Sequence, residues 1–282
     1  ANEARSSGDH DPFSVKEAHM SHTNSSSSAT GRDGFSGARV LVTGGLGFIG
    51  SRLAIRMVES GARVTIVDNL APDTGANRFN IASIEGRVVV HIGDIRDRDT
   101  VVSLVRDQDV ILNVAALVAH MDAMRQPIED LDVNARAQLT ILDACRELNT
   151  GIRIVHASTR QVYGRADRLP VAEDHPTRPI DVNGVNKLAG EHFHVLYHQV
   201  YGTRSTVLRL TNTFGPGMRI RDGRQTFIGI WLRALVEGTA FDVWGGEQVR
   251  DLVFVDDVVD AFCATALSDG AVGQIFNVGG AE

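Results

Sequence analysis

The chain has 282 residues and a mass of 30.5 kDa, above the ~150 residues of an average domain, which predicts one large domain carrying a smaller appendage. Hydrophobic residues make up 43%, charged residues 22%, and mean hydropathy is -0.05, a globular balance that excludes wholesale disorder and fibrous architecture. The formal charge of -7 comes without any Lys/Arg block to meet a phosphate backbone, and Asp, Arg or His interrupts every long apolar run. Neither a nucleic acid nor a membrane is an expected partner. Cys145 and Cys263, each inside an apolar run with helical spacing, read as buried thiols of a cytoplasmic protein.

Residues 1–36 contain Ser25-Ser26-Ser27-Ser28 and little to bury, so a loose tail is expected there. The pair His19-Met20 resembles a cloning junction, so residues 1–19 are expected to be vector-derived, and His10, His19 and His22 read as solvated. From Ala38 onward, β-branched runs alternate with helical patterns. Strands are predicted at 39–43, 63–68, 87–92, 109–114, 152–157 and 205–210, and helices at 48–59, 100–106, 129–148 and 185–201. Strands rich in Val, Ile and Leu are covered on both faces, so the fold class is α/β, a doubly wound parallel sheet. Gly61 and Gly151 stand where the first and third helices need left-handed caps. After Leu210, Gly215-Pro216-Gly217 breaks the rhythm and a helix near 227–237 follows, the start of a second, smaller lobe.

The first strand runs into Gly44-Gly45-Leu46-Gly47-Phe48-Ile49-Gly50 and then straight into a helix. That context suits a dinucleotide: Gly44 allows the tight turn, Gly47 the approach of a pyrophosphate, and Gly50 close helix packing, while the helix start offers N–H donors. Asp68 ends the second strand, where an acid accepts from the adenosine ribose and repels a 2'-phosphate, favouring NAD over NADP; the alternative is a cap on the following turn. Asp94 ends the third strand where an adenine amino group could be met, and an Asp opening the next helix explains that region equally well.

Thr43 to Ser51, Val67-Asp68-Asn69-Leu70 and Asn113-Val114-Ala115-Ala116 together resemble the extended short-chain dehydrogenase/reductase superfamily, in its nucleotide-sugar epimerase and dehydratase branch. Val133-Asn134, Ser158-Thr159 with Val162-Tyr163-Gly164, Asn186-Lys187, Arg209-Leu210-Thr211-Asn212 and Arg250-Asp251 extend the resemblance over Ala38 to Gly280. It implies a tightly held NAD, with Phe48, Ile49, Asn69, Ile95, Ala115 and Ala116 beside the glycines, that oxidises a sugar hydroxyl and later returns the hydride. It further implies a nucleotide-diphosphate sugar as substrate, Ser158 or Thr159 and Lys187 in the proton chemistry, Asn212 and Arg250 at the diphosphate, and a homodimer built on two helices. The organisation expected is an NAD-binding Rossmann domain over 37–178, its continuation with the Lys-bearing helix and sixth strand over 179–210, and a substrate-binding lobe over 211–282. Phe276-Asn277-Val278-Gly279-Gly280 resembles a place where relatives continue, so the lobe is expected to extend past the sequence.

One departure matters. The resemblance implies a Tyr four residues before the lysine, and Asn183 stands there. A carboxamide neither gives nor takes a proton near neutrality. Tyr197 and Tyr201 lie ten and fourteen residues beyond Lys187, roughly 15 to 20 Å along the helix, too far to substitute. Three explanations stay open: a base from elsewhere (Thr159 aided by Lys187, or His120, Asp122, Glu173, Asp174 or His175), a silent binding protein, or a reaction needing a weaker base. His120 is of the residue type that titrates nearest neutrality; its bland alternative is a loop histidine. The resemblance places Asp-Glu after the threonine in dehydratases, and Arg160-Gln161 here disfavours elimination of water, leaving epimerisation. No metal is expected: His194 and His198 are one turn apart but read as an exposed polar face. Trp231 and Trp244 read as core packing.

Overall fold

The computed structural model describes residues 33–222, 227–243 and 245–280; the tail of 1–32 and Trp244 lie outside the described residues. Strand β1 (Arg39–Thr43) leads into α1 (Phe48–Glu59), β2 (Arg63–Asp68), β3 (Val88–Ile92), α2 (Arg98–Val105) and β4 (Val110–Asn113). Two short helices, α3 (His120–Arg125) and α4 (Pro127–Leu131), precede α5 (Ala137–Leu148), β5 (Arg153–Thr159), α6 (Val182–Tyr201) and β6 (Arg204–Leu210). The chain closes with β7 (Asn212–Phe214), α7 (Phe227–Glu237), β8 (Leu252–Phe254), α8 (Val255–Leu267) and β9 (Ile275–Val278).

Seven strands form one sheet in the order β3-β2-β1-β4-β5-β6-β9, and every pair in it is parallel. Alternation along β1 shows why both faces must be covered: Val40 and Val42 enter the apolar cluster with Leu53, Met57, Val258 and Phe262 from α1 and α8, whereas Leu41 faces Leu104, Ile141 and Leu142 from α2 and α5. Each such aliphatic side chain contributes about 1.5 to 3 kcal/mol by burial. Chain order reverses between β1 and β4, and in a doubly wound sheet the crevice beyond the strand ends at that point is where ligands bind. Of the residues after Leu210, α8 and β9 join the large sheet and its helical layer, while β7 and β8 form a separate parallel pair.

Four expectations need correction. Gly202, not Gly151, carries a left-handed cap, with φ +70 at the end of α6; α5 ends at Asn149 in a different conformation. The helix expected over 129–148 begins at Pro127, whose ring suits the first turn, and it is interrupted by a π turn over Asp132–Arg136. Helix α6 starts earlier than expected because Asp181 caps it, its carboxylate accepting from Gly184 N at 2.7 Å. His194 is 1% exposed rather than solvated: it stacks on His156 at 4.4 Å and its Nδ1 lies 2.6 Å from Ser205 Oγ.

Candidate active site

A cleft of about 940 Å³ runs along the carboxyl ends of the strands. At one end lies the glycine turn. Gly44 has φ +65, and a Cβ there would sit 2.9 Å from Ala115 Cα; a Cβ on Gly50 would sit 2.1 Å from Gly44 O. Both positions therefore require glycine, so β1, the turn and β4 can close up. Helix α1 starts after Gly47 without a side-chain cap, which leaves its first N–H donors to a ligand. Gly44, Gly47, Phe48, Ile49 and Gly50 all line the cleft. A bare backbone cradle of this kind fits a pyrophosphate, and so fits NAD.

Asp68 is buried at the cleft wall, where Oδ2 accepts from Leu46 N at 3.0 Å and Oδ1 from Leu70 N at 2.9 Å. Each oxygen keeps a further lone pair for a ribose hydroxyl. Burial raises its pKa against the pull of those two amides. Turn-capping and ribose binding are thus compatible at this residue. Asp94 is tied to Arg96 at 2.9 and 2.6 Å and to Asn69 at 2.9 Å, and the Arg96 bonds lower its pKa to about 2. It holds Asn69 in the cleft, while Asp97 caps α2 by accepting from Thr100 N. Ile95, Ala115 and Ala116 line the same stretch.

At the other end Thr159 closes β5 and caps the turn that follows, its Oγ1 accepting from Gln161 N. Ser158 beside it is buried and donates to Glu191, which also holds Arg209 at 2.7 Å; Arg209 in turn stacks over Tyr163 at 4.7 Å. Tyr163 donates to Asn277 at 2.7 Å, and burial raises its pKa, so it packs in the core and holds its proton. Lys187 is 4% exposed, with Nζ donating to Ala157 O at 3.0 Å. Loss of hydration lowers its pKa to about 8, against the opposing charges of Asp130 and Glu191.

Asn183 lines the cleft but is 2% exposed, and its Nδ2 donates to Leu117 O at 2.7 Å and to Asp130 Oδ2 at 2.9 Å. The other oxygen of Asp130 accepts from Asn186 at 2.8 Å. Two carboxamides thus clamp one buried carboxylate, an arrangement that sequence reading missed.

Of the remaining candidates for the base, only Asp122 lines the cleft itself. Glu173 accepts from Asn277 N, Asp174 pairs with Arg168, and buried His175 accepts from Asp167 N and faces Pro176 O; none of the three lines the cleft. His120 does not line the cleft either; it is exposed, next in the chain to the lining residue Ala119, with Nδ1 2.6 Å from Asp181 Oδ2 and Nε2 2.6 Å from the amide nitrogen of Gln161, which does line it. Asn212 lines the cleft too, accepting from Arg160 at 3.4 Å and donating to Asp251 O at 3.1 Å. Arg250 is exposed and lies outside the lining; Arg160 loses hydration at the cleft wall and feels the like charge of Arg250, and both effects lower its pKa. Among the described residues no cluster of His, Cys, Asp and Glu could hold a metal ion, and no helix is long and apolar enough to cross a membrane.

Residues 40–279 match the model of the NAD dependent epimerase/dehydratase family. The UDP-glucose 4-epimerase of Mycolicibacterium smegmatis is 33% identical over 245 residues, 86% of this chain and 77% of that protein. The dTDP-glucose 4,6-dehydratase of Xanthomonas campestris is 33% identical over 257 residues, 85% of this chain and 70% of that protein. The solved structure of the Thermus thermophilus UDP-glucose 4-epimerase in complex with NAD is similar at a TM-score of 0.74 and 32% identity, covering 86% of this chain and 78% of that one.

Proposed function

Because the chain belongs to the NAD-dependent epimerase/dehydratase family, we propose that it is a nucleotide-sugar epimerase that oxidises a sugar hydroxyl to a ketone and returns the hydride to the opposite face. The observation that carries this reading is a single cleft lined at one end by the glycine turn and Asp68 and at the other by Thr159 and Lys187. NAD, when bound, supplies the acceptor that takes a hydride from the sugar carbon and gives it back. The turn at Gly44, Gly47 and Gly50 holds the pyrophosphate, Asp68 and Asn69 the adenosine ribose, and Lys187 the nicotinamide ribose. Thr159 orients the reacting hydroxyl. Asn212, with Arg160 and Arg250, receives the sugar diphosphate, a role suited to planar guanidinium donors.

Arg160 and Gln161 follow Thr159, and neither side chain exchanges protons near neutrality, so elimination of water has no acid and base there. A second reading, a silent protein that binds nucleotide-sugars, is favoured by one observation: both N–H groups of the Asn183 carboxamide are taken up by Asp130 and Leu117. Incubation with NAD and a panel of UDP- and dTDP-sugars, followed by chromatography, separates the readings. An epimer supports the first; binding without any altered sugar supports the second; a dehydrated keto-sugar contradicts both.

Exposed Met121, Met124, Ile128, Leu131, Val185 and Leu196 on α3, α4 and α6 leave an apolar surface consistent with a homodimer through these helices. Free Cys145 and Cys263 suit a reducing cytoplasm, and burial raises their pKa values to about 12 and about 11, which keeps both thiols unreactive.

A further inference from the structure

We infer that His120, oriented by Asp181, is the proton acceptor and donor for the sugar hydroxyl, in place of the absent tyrosine. The inference rests on the epimerase reading and names a residue that the family pattern does not. Asp181 and His120 are 61 residues apart in sequence and meet at 2.6 Å. Asp181 is fixed by a second bond, its other oxygen accepting from Gly184 N at 2.7 Å as the cap of α6, two residues before Asn183 on the helix that carries Lys187. A carboxylate so held accepts the proton of Nδ1 and leaves the Nε2 lone pair as the basic site, the logic by which an acid orients a histidine base. The Gln161 amide lies 2.6 Å from that nitrogen. Gln161 also has Oε1 buried without a hydrogen-bond partner, its backbone N–H is bonded to Thr159 Oγ1, and it lines the cleft. The amide therefore marks the position a sugar hydroxyl takes when it displaces the Gln161 side chain.

In the oxidation the O–H bond breaks and its proton passes to Nε2. With NAD bound, the carbon–oxygen bond would become a carbonyl as the carbon-bound hydrogen left with its electron pair for the nicotinamide. On return, the hydride comes back to carbon and the imidazolium restores the proton to oxygen, so no other acid or oxidant is needed.

Two substitutions test the inference. His120→Gln keeps the size and loses the base; kcat should fall roughly 10²- to 10⁴-fold with KM changed little. Asp181→Asn keeps an N-cap of equal quality but presents N–H to Nδ1, which drives the proton to Nε2 and should slow turnover to a similar extent. Imidazole added to a His120→Gly variant should restore part of the rate, which a purely structural histidine would not allow. Independently of turnover, ¹⁵N NMR of histidine-labelled protein should show the His120 proton on Nδ1, moved to Nε2 in Asp181→Asn, with the wild-type Nε2 signal shifting when UDP-glucose is added to the NAD-loaded protein. A His120→Gln enzyme as fast as wild type, or a wild-type proton already on Nε2, overturns the inference and leaves the epimerase reading standing. Wild-type protein that alters no nucleotide-sugar overturns both.

Discussion

Replacing Asn183 by Tyr would put the familiar residue back four positions before Lys187, and we expect it to cost stability without raising the rate. The substitution deletes the N–H that bonds Asp130 Oδ2 at 2.9 Å and Leu117 O at 2.7 Å. The bond to a buried carboxylate contributes about 1.5 to 3 kcal/mol and the neutral one about 1; the second loss is softened because Leu117 O still accepts from Asn134 at 2.9 Å. The sum is about 3 kcal/mol, which for a chain of this size lowers Tm by roughly 6–12 °C. Urea titrations of wild type, Asn183→Ala and Asn183→Tyr measure it, the alanine variant losing the same bonds without adding a ring. Turnover of the Tyr variant should not exceed that of wild type, because the proton passes to His120. A Tyr variant as stable as wild type and ten-fold faster would refute the reasoning.

Further outcomes follow from the same structure. Burial lowers the pKa of His194 to about 3 and that of its stacked partner His156 well below its usual value; the charge of Lys187 acts on both in the same direction, and that of His194 adds to it at His156. The unfolded chain, titrating near 6.5, then binds more protons as pH drops below that value, so stability is lost on acidification; at pH 5 His194 costs about 2 kcal/mol, and His194→Gln should lose about 2 kcal/mol less than wild type between pH 7.5 and 5 in urea titrations. Gly50→Ala places a methyl group 2.1 Å from Gly44 O, and calorimetry should show NAD affinity down roughly ten-fold or more, about 1.4 kcal/mol at least; unchanged affinity would remove the turn from the cofactor site. Asp68→Asn deletes the charge that repels a 2'-phosphate, so the NAD over NADP preference should fall by roughly ten-fold in the same assay.

What was legible in the sequence was local. The run from β1 through the glycine turn into α1 is continuous in the chain, and Asp68 closes the next strand, so strand, turn, helix and acid appear in order. Thr159 and Lys187 were legible through motif order alone. Contacts between distant positions were not. Asp181 meets His120 across 61 residues, Asn183 meets Asp130 across 53, and His194 is buried because Ser205 and the ring of His156 receive it. A polar residue at helical spacing looks solvated until those partners are placed. The start of α6 was hidden by Pro179 and Gly184, which weaken a helical pattern although Asp181 three residues before Gly184 is a capping signal. Nothing in apolar periodicity marks the π turn over Asp132–Arg136.

The claim that the cleft oxidises and re-reduces a sugar carbon is tested most directly by absorbance. NAD-loaded protein is mixed rapidly with a nucleotide-sugar, beginning with UDP-glucose, and the signal of reduced nicotinamide is followed while samples are quenched for chromatography. We expect that signal to rise and return to baseline as an epimer accumulates. A flat trace across UDP- and dTDP-sugars that calorimetry shows to be bound would contradict the account.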